Sequence, residues 1–203
     1  MILAFDTSTA ACTAALFDGS GECIAQADEQ IGRGHAERLV PMIDELLQGR
    51  SADRIIVGVG PGSFTGIRVA IAAAHGLAIG WGAELKGMSS LTLLAASAND
   101  DGEVGAAVLG GHGELFVQQF DAASLQPTTE LRNLRPADAA REITAHLVIG
   151  SGARQLVDCR GNGEARDAWP SAANALRLPE ELRSLPPRPV YARAPDARAK
   201  EAA

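Results

Sequence analysis

Short apolar runs divide the first hundred residues into alternating elements. Residues 2–6 (ILAFD) and 11–17 (ACTAALF) are apolar runs of strand length, joined by the polar turn TSTA. Asp18-Gly19 then separates the second run from residues 22–28, and Asp-Gly between apolar runs is a strong hairpin signal. Three consecutive antiparallel strands are predicted. Leu39, Val40, Ile43, Leu46 and Leu47 recur at i, i+1, i+4, i+7, i+8, one face of a helix over about 35–48. Pro41 removes an internal hydrogen bond, so the regular part is predicted to start near Pro41 or bend there, and Gly49 to end it. Residues 55–59 read as a buried strand, followed by the glycine-rich stretch GVGPGSFTGIR at 58–68.

From Gly66 to about Gly80 a second helix is predicted. Ile67, Ile71, Ala74 and Ala78 share one face, while Ala72, Ala73, Gly76 and Gly80 keep the surface narrow. Gly76 costs a helix roughly 1 kcal/mol against alanine, so a close contact is expected to offset it. A short strand near Leu85 and a helix capped by Ser89 or Ser90 follow. The second half repeats the theme more weakly, with strands at 105–111 and 114–120, a helix at 136–146 and a strand–turn–helix at 147–158. Residues 160–189 hold five prolines and little periodicity. The order βββαβα is the lobe plan of the actin and sugar-kinase superfamily, a likeness of fold that says nothing of chemistry. The expected fold is α/β and two-lobed, with mixed sheets flanked by helices and a reduced second lobe. Its parts are an N-terminal lobe at 1–98, a smaller lobe at 99–187 and a tail at 188–203.

Charge narrows the partners. The net charge is −7, and residues 1–95 carry six basic against ten acidic side chains, residues 96–203 twelve against fifteen. No basic stripe fit to neutralise a phosphate backbone appears, so direct nucleic-acid binding is disfavoured. Only the closing RPVYARAPDARAKEAA is locally positive. No apolar run is expected to reach the ~18–20 residues of a membrane span, and MILAFDTS lacks the basic start of a signal peptide. Three cysteines, Cys12, Cys23 and Cys159, fit no metal spacing and point to a reducing cytoplasmic setting.

Candidate chemistry gathers at two turns. Asp6, Thr7 and Ser8 end the first strand, where a sugar-kinase-type fold holds water or Mg²⁺ near nucleotide phosphates; an Asx or hydroxyl turn is the other reading. Gly60, Gly62, Ser63, Thr65 and Arg68 form a strand-to-helix turn that could cradle an anion on its N–H groups, or simply launch a packing helix. An active ATPase or kinase would also need a second phosphate loop, and its place holds Leu109-Gly110-Gly111-His112 without an acid. The four histidines, His35, His75, His112 and His146, include no i, i+4 pair, and no nucleophile motif occurs. No catalytic residue, metal or cofactor is expected. The two apolar helices point instead to a protein interface, with Leu39, Val40, Ile43, Leu46, Leu47, Ile67, Ile71, Ala74, His75 and Ala78 as its candidates.

Together ILAFDTSTAACTAAL, HAERLVPMIDELL, GVGPGSFTGIRVAIAAAHGLA and GMSSLTLLA resemble the TsaB (YeaZ) family, the small non-catalytic paralogue of the tRNA threonylcarbamoyl transferase. The likeness covers nearly all of residues 1–96, with GPGSFTGIR its most specific part; PVYARAPDA resembles the family's closing segment. It implies a cytoplasmic protein that pairs through its two N-lobe helices with the catalytic paralogue TsaD, or with a second copy when alone. It further implies that the ATPase TsaE joins the pair and that tRNA is met only through the complex, which modifies the adenosine beside the anticodon of tRNAs reading codons that begin with A. The metal-binding histidine pair would belong to the catalytic paralogue. The chain departs from the family's pattern at 109–112, where relatives commonly carry Asp-Ala-Arg. A peptidase, a name once attached to relatives, finds no motif here.

Overall fold

The computed structural model describes residues 1–192; most of the positively charged tail, 193–203, lies outside the described residues. Strands β1 (Ile2–Asp6), β2 (Ala11–Phe17), β3 (Cys23–Gln30), β4 (Arg54–Gly58) and β5 (Glu84–Met88) form one sheet in the order β3-β2-β1-β4-β5. The first three are antiparallel, as the turn signals predict, and β4 and β5 add on in parallel. Central β1 and β2 are covered on both faces and read as unbroken apolar runs, the signature of doubly buried strands. Edge strand β3 alternates half-buried and exposed positions instead. Parallel neighbours need crossovers, and α1 (His35–Leu47) and α2 (Phe64–Trp81) supply them on one face. Leu39, Met42, Ile43, Ile67, Ala70 and Ala74 there pack on Leu3, Phe5, Leu16, Ile55 and Val57.

The second half is built on the same plan. Strands β6 (Glu103–Leu109), β7 (Leu115–Asp121), β8 (Arg132–Leu134), β9 (Leu147–Ile149) and β10 (Glu164–Arg166) order as β8-β7-β6-β9-β10, again antiparallel first and parallel last. Helices α4 (Pro136–Glu142) and α5 (Ala153–Arg160) cover its outer face. This is the two-lobed actin-like fold, and strands of three residues in β8–β10 make the second lobe the smaller. Between the sheets, α3 (Ser90–Ala95) joins Ala4, Phe17 and Ile56 to Val104, Phe116 and Phe120 in one core. The chain then returns. Ala172 N donates to Thr13 Oγ1 at 2.7 Å, Ser171 Oγ to Asp28 Oδ2 at 2.8 Å, and Val190 N to the Val59 carbonyl at 2.8 Å, so residues 171–190 cover the first sheet.

Several local expectations change. Helix α1 starts at His35 and runs through Pro41; Pro41 is exposed, so the Glu37 carbonyl that loses its helical donor can face water. Gln48, left-handed at φ 49°, caps α1 one residue before Gly49. Helix α4 stops at Glu142 because Ile143 turns extended and buries its side chain fully. Helix α2, at 18 residues with a mean hydropathy of 1.3, is long and apolar enough to cross a membrane, contrary to the expectation of no such run; one of its faces is docked in the core. Burial pushes the Cys12 thiol up to about 11, leaving it an inert core group.

Arg38 ties α1 to the edge strand. Its Nε and Nη2 meet both oxygens of Glu29 at 2.8 and 2.6 Å, and Nη1 reaches Glu45 Oε1 at 2.9 Å. The guanidinium holds both carboxyls below their ordinary value of 4.5. A carboxyl depressed on folding stabilises above its unfolded pKa and loses that contribution as pH falls through the folded one. Arg38→Leu is therefore expected to lower the melting temperature at pH 7 and to narrow its gap to the parent protein below pH 4.5, read by thermal denaturation across pH; a constant gap would show that the pair contributes only packing.

Candidate functional site

The glycine-rich stretch meets the β1–β2 turn at backbone distance. Ser63 N donates to the Ser8 carbonyl at 2.6 Å, and the Thr7 hydroxyl donates to the Gly66 carbonyl at 2.7 Å. A Cβ on Gly62 would overlap the Ser8 carbonyl oxygen, and one on Gly66 the Thr7 carbonyl oxygen. Glycine is required here for close approach. Asp6 is enclosed as well: Oδ1 accepts from Ser8 N at 2.6 Å and Ser8 Oγ at 2.7 Å, and Oδ2 accepts from the Ser90 hydroxyl. Ser90 Oγ in turn accepts from Gly60 N at 3.1 Å. Asp6, with no exposed surface, is the hub of an Asx turn that clamps β1, the glycine loop and the start of α3 together. Both carboxylate oxygens are engaged in these internal hydrogen bonds.

A cleft of about 1080 Å³ opens between the lobes. Ser8, Gly62, Ser63 and Thr65 line it, whereas Asp6, Thr7, Gly60 and Arg68 do not. Arg68 is instead engaged at its rim, with its guanidinium 3.5 Å from the Phe64 ring centre and its Nε donating to the Tyr191 hydroxyl at 3.2 Å. Phe64 and Tyr191 stack with ring centres 5.4 Å apart. Across the cleft stand Leu109, Gly110, Gly111 and Ser151 of the second lobe. Arg33 and His35, at the entry to α1, complete the wall; no sequence pattern marks either as a cleft residue, since only the tertiary fold brings the start of α1 beside that of α2. Among the described residues no three His, Cys, Asp or Glu side chains gather where they could hold a metal ion.

The family model described as TsaD, tRNA N6-adenosine threonylcarbamoyltransferase, matches residues 27–140. A solved structure from Pseudomonas aeruginosa, described as similar to peptidase YeaZ, is 30% identical and superposes with a TM-score of 0.78 over 95% of this chain and 99% of its own. The chain belongs to the TsaB/YeaZ family. Curated relatives named tRNA threonylcarbamoyladenosine biosynthesis protein TsaB include those of Haemophilus influenzae, 40% identical over 102 residues, and Escherichia coli, 37% identical over 128 residues. These matches take in 48% and 59% of this chain and 42% and 54% of the relatives, so the chain spans about half the length of the curated relatives it matches.

In this TsaB-family chain the candidate interface residues divide sharply. Leu39, Ile43, Leu47, Ile67, Ile71 and Ala74 are already buried in the chain's own core, so their side chains are not available to a partner. That is a correction: the apolar periodicity marks the face toward the sheet. Leu46 and Ala78 are half-buried, and Val40 and His75 exposed. On the outer side of α2 lie Ala72, His75, Gly76, Ile79 and Gly80, all exposed, with Ile79 84% accessible. Beyond the chain neighbours and the helix's own backbone, no atom of the described residues lies within 4 Å of where a Cβ on Gly76 or Gly80 would sit, so the described residues do not make the contact expected to offset Gly76.

The two kinds of glycine predict opposite outcomes. Gly66→Ala is expected to destabilise by about 2–4 kcal/mol through overlap with the Thr7 carbonyl, and Gly76→Ala to stabilise by about 0.5–1 kcal/mol through helix propensity. Urea denaturation of the isolated chain measures both; an unperturbed Gly66→Ala would refute the clamp.

Proposed function

We propose that this chain is a non-catalytic, cytoplasmic scaffold subunit of the complex that adds a threonylcarbamoyl group to the adenosine beside the anticodon of tRNAs reading A-starting codons. It pairs with a TsaD-type catalytic paralogue, or with a second copy when alone; the ATPase TsaE joins the pair, and tRNA is met through the complex. Family membership and the names of the curated relatives support the pathway. The observation that carries the scaffold role is the uncovered outer side of α2. Its small residues admit a second backbone closely, and an exposed glycine pair inside a helix costs stability that only an outside contact can offset. Val40, 52% accessible on the neighbouring α1, extends the patch toward the roughly 1,600 Å² of a standard interface. A protein partner suits this patch better than lipid, because the opposite side of α2 is sealed onto the sheet by Gly66, Ile67, Ala70 and Ala74. Asp6 supports the same division of labour, since its carboxylate is committed to holding the turn.

Ile79→Glu and Gly76→Arg are expected to abolish co-elution with the TsaD-type partner on size-exclusion chromatography while leaving the melting temperature within a degree or two of the parent. Retained co-elution of both variants would overturn the assignment of the surface. For the pathway, depletion of the protein is expected to strip threonylcarbamoyladenosine from tRNA digests measured by mass spectrometry; undiminished modified nucleoside would overturn it.

A further inference from the structure

Away from both the cleft and the outer side of α2, the loop between α5 and β10 holds the chain's single Asn-Gly pair, Asn162-Gly163. An asparagine presents its side-chain amide carbon at ring-closing reach of the next main-chain nitrogen, and glycine puts no Cβ in the way. Closure depends on how firmly the two groups are held. Asn162 is exposed, and among the described residues neither its side-chain amide nor the Gly163 N–H takes a hydrogen bond. Gly163 stands at φ 99°, a conformation glycine enters freely. The peptide between the two residues is also polarised. Arg160 Nε donates to the Asn162 main-chain oxygen at 3.0 Å, and a cation on that oxygen favours the anionic form of the adjoining nitrogen. The other asparagines lack this combination. Asn133 Nδ2 donates to Glu114 Oε2 at 2.5 Å, and Asn174 Oδ1 accepts from Arg177 Nη1 at 3.1 Å; Leu134 and Ala175 follow them, each with a Cβ beside the nitrogen. Asn99 is exposed but precedes Asp100, whose negative charge opposes loss of the amide proton.

We propose that Asn162 is a site of covalent self-modification in the folded protein, deamidating through a succinimide to aspartate and isoaspartate. The Gly163 nitrogen gives its proton to hydroxide and attacks Asn162 Cγ. The new N–Cγ bond forms as the Cγ–Nδ2 bond breaks, and the amide nitrogen leaves as ammonia with a proton from water. Water then opens the ring at either carbonyl. No electrons are exchanged, and water is the sole co-reactant. Both products carry a new carboxylate, and the isoaspartyl product also adds a carbon to the main chain just before β10. Glu164 N donates to the His146 carbonyl at 2.8 Å where β10 begins to pair with β9. Arg160 holds the carbonyls of Ile143, Ala145 and His146 at 2.8, 2.9 and 3.3 Å. A longer main chain at 162–163 displaces Glu164 against that fixed frame, so β10, only three residues long, loses pairing.

The test incubates the full, folded chain at mildly alkaline pH and digests it with trypsin. Cleavage after Arg160 and Arg166 releases Asn162 as the sole asparagine of peptide 161–166. Mass spectrometry is expected to show that peptide gaining the mass of an amide-to-acid exchange while the peptides holding Asn133 and Asn174 stay unmodified. Labelling of the aged protein by an isoaspartyl methyltransferase and S-adenosylmethionine is expected to rise in step and to be lost in Asn162→Gln, whose longer side chain closes a ring far more slowly. Hydrogen exchange at 164–166 is expected to quicken in the aged parent protein and not in aged Asn162→Gln. Deamidation of Asn162 no faster than that of Asn133 and Asn174, or labelling unchanged by Asn162→Gln, would overturn the site. Exchange at 164–166 that stays the same in the modified protein would overturn the effect on β10.

Discussion

The first lobe depends on one close approach, that of the backbone of residues 58–66 to the β1–β2 turn. Two carbonyl oxygens, those of Thr7 and Ser8, occupy the space that side chains would fill at Gly66 and Gly62. Asp6 closes the contact from beneath by accepting from Ser8 and Ser90. From this clamp α2 takes its starting point, α3 its position, and the cleft its floor. A buried carboxylate is costly unless fully hydrogen-bonded, and here it is satisfied by hydroxyl and amide donors alone. Asp6 and Thr7 thus hydrogen-bond inside the turn, whereas Ser8, Gly62, Ser63 and Thr65 line the cleft.

That reassignment separates two surfaces that the sequence runs together. The apolar stripe of α2 faces its own sheet, and a second, thinner stripe of alanine, glycine, His75 and Ile79 faces outward. A helix apolar on both sides suits a layer between two packed bodies. The chain itself provides one of those bodies.

The antiparallel opening of the first lobe is legible because its signals are local: Asp18-Gly19 at a hairpin and apolar runs for β1 and β2. Crossover helices were legible from periodicity, but periodicity reports which side is apolar, not which protein covers it. Periodicity alone therefore leaves the covering body of Leu39 and Ile67 open, and the fold places both in the chain's own core. Strands β8 and β10, at three residues each, are too short to leave a pattern. Asp6 and Ser90 lie 84 positions apart, and no spacing rule links them. A lone imidazole such as His35 gives no sign in the sequence that it borders the cleft; tertiary folding puts it there.

The return of the chain over the first sheet has a mechanical consequence. Gly87 and Leu185 exchange two backbone hydrogen bonds at 2.7 and 3.0 Å, and Thr13 and Asp28 are gripped by residues 171 and 172. The second sheet is therefore joined to the first by two connections, residues 96–102 and 167–170, and any relative movement of the two sheets has to flex both rather than bend at a single linker.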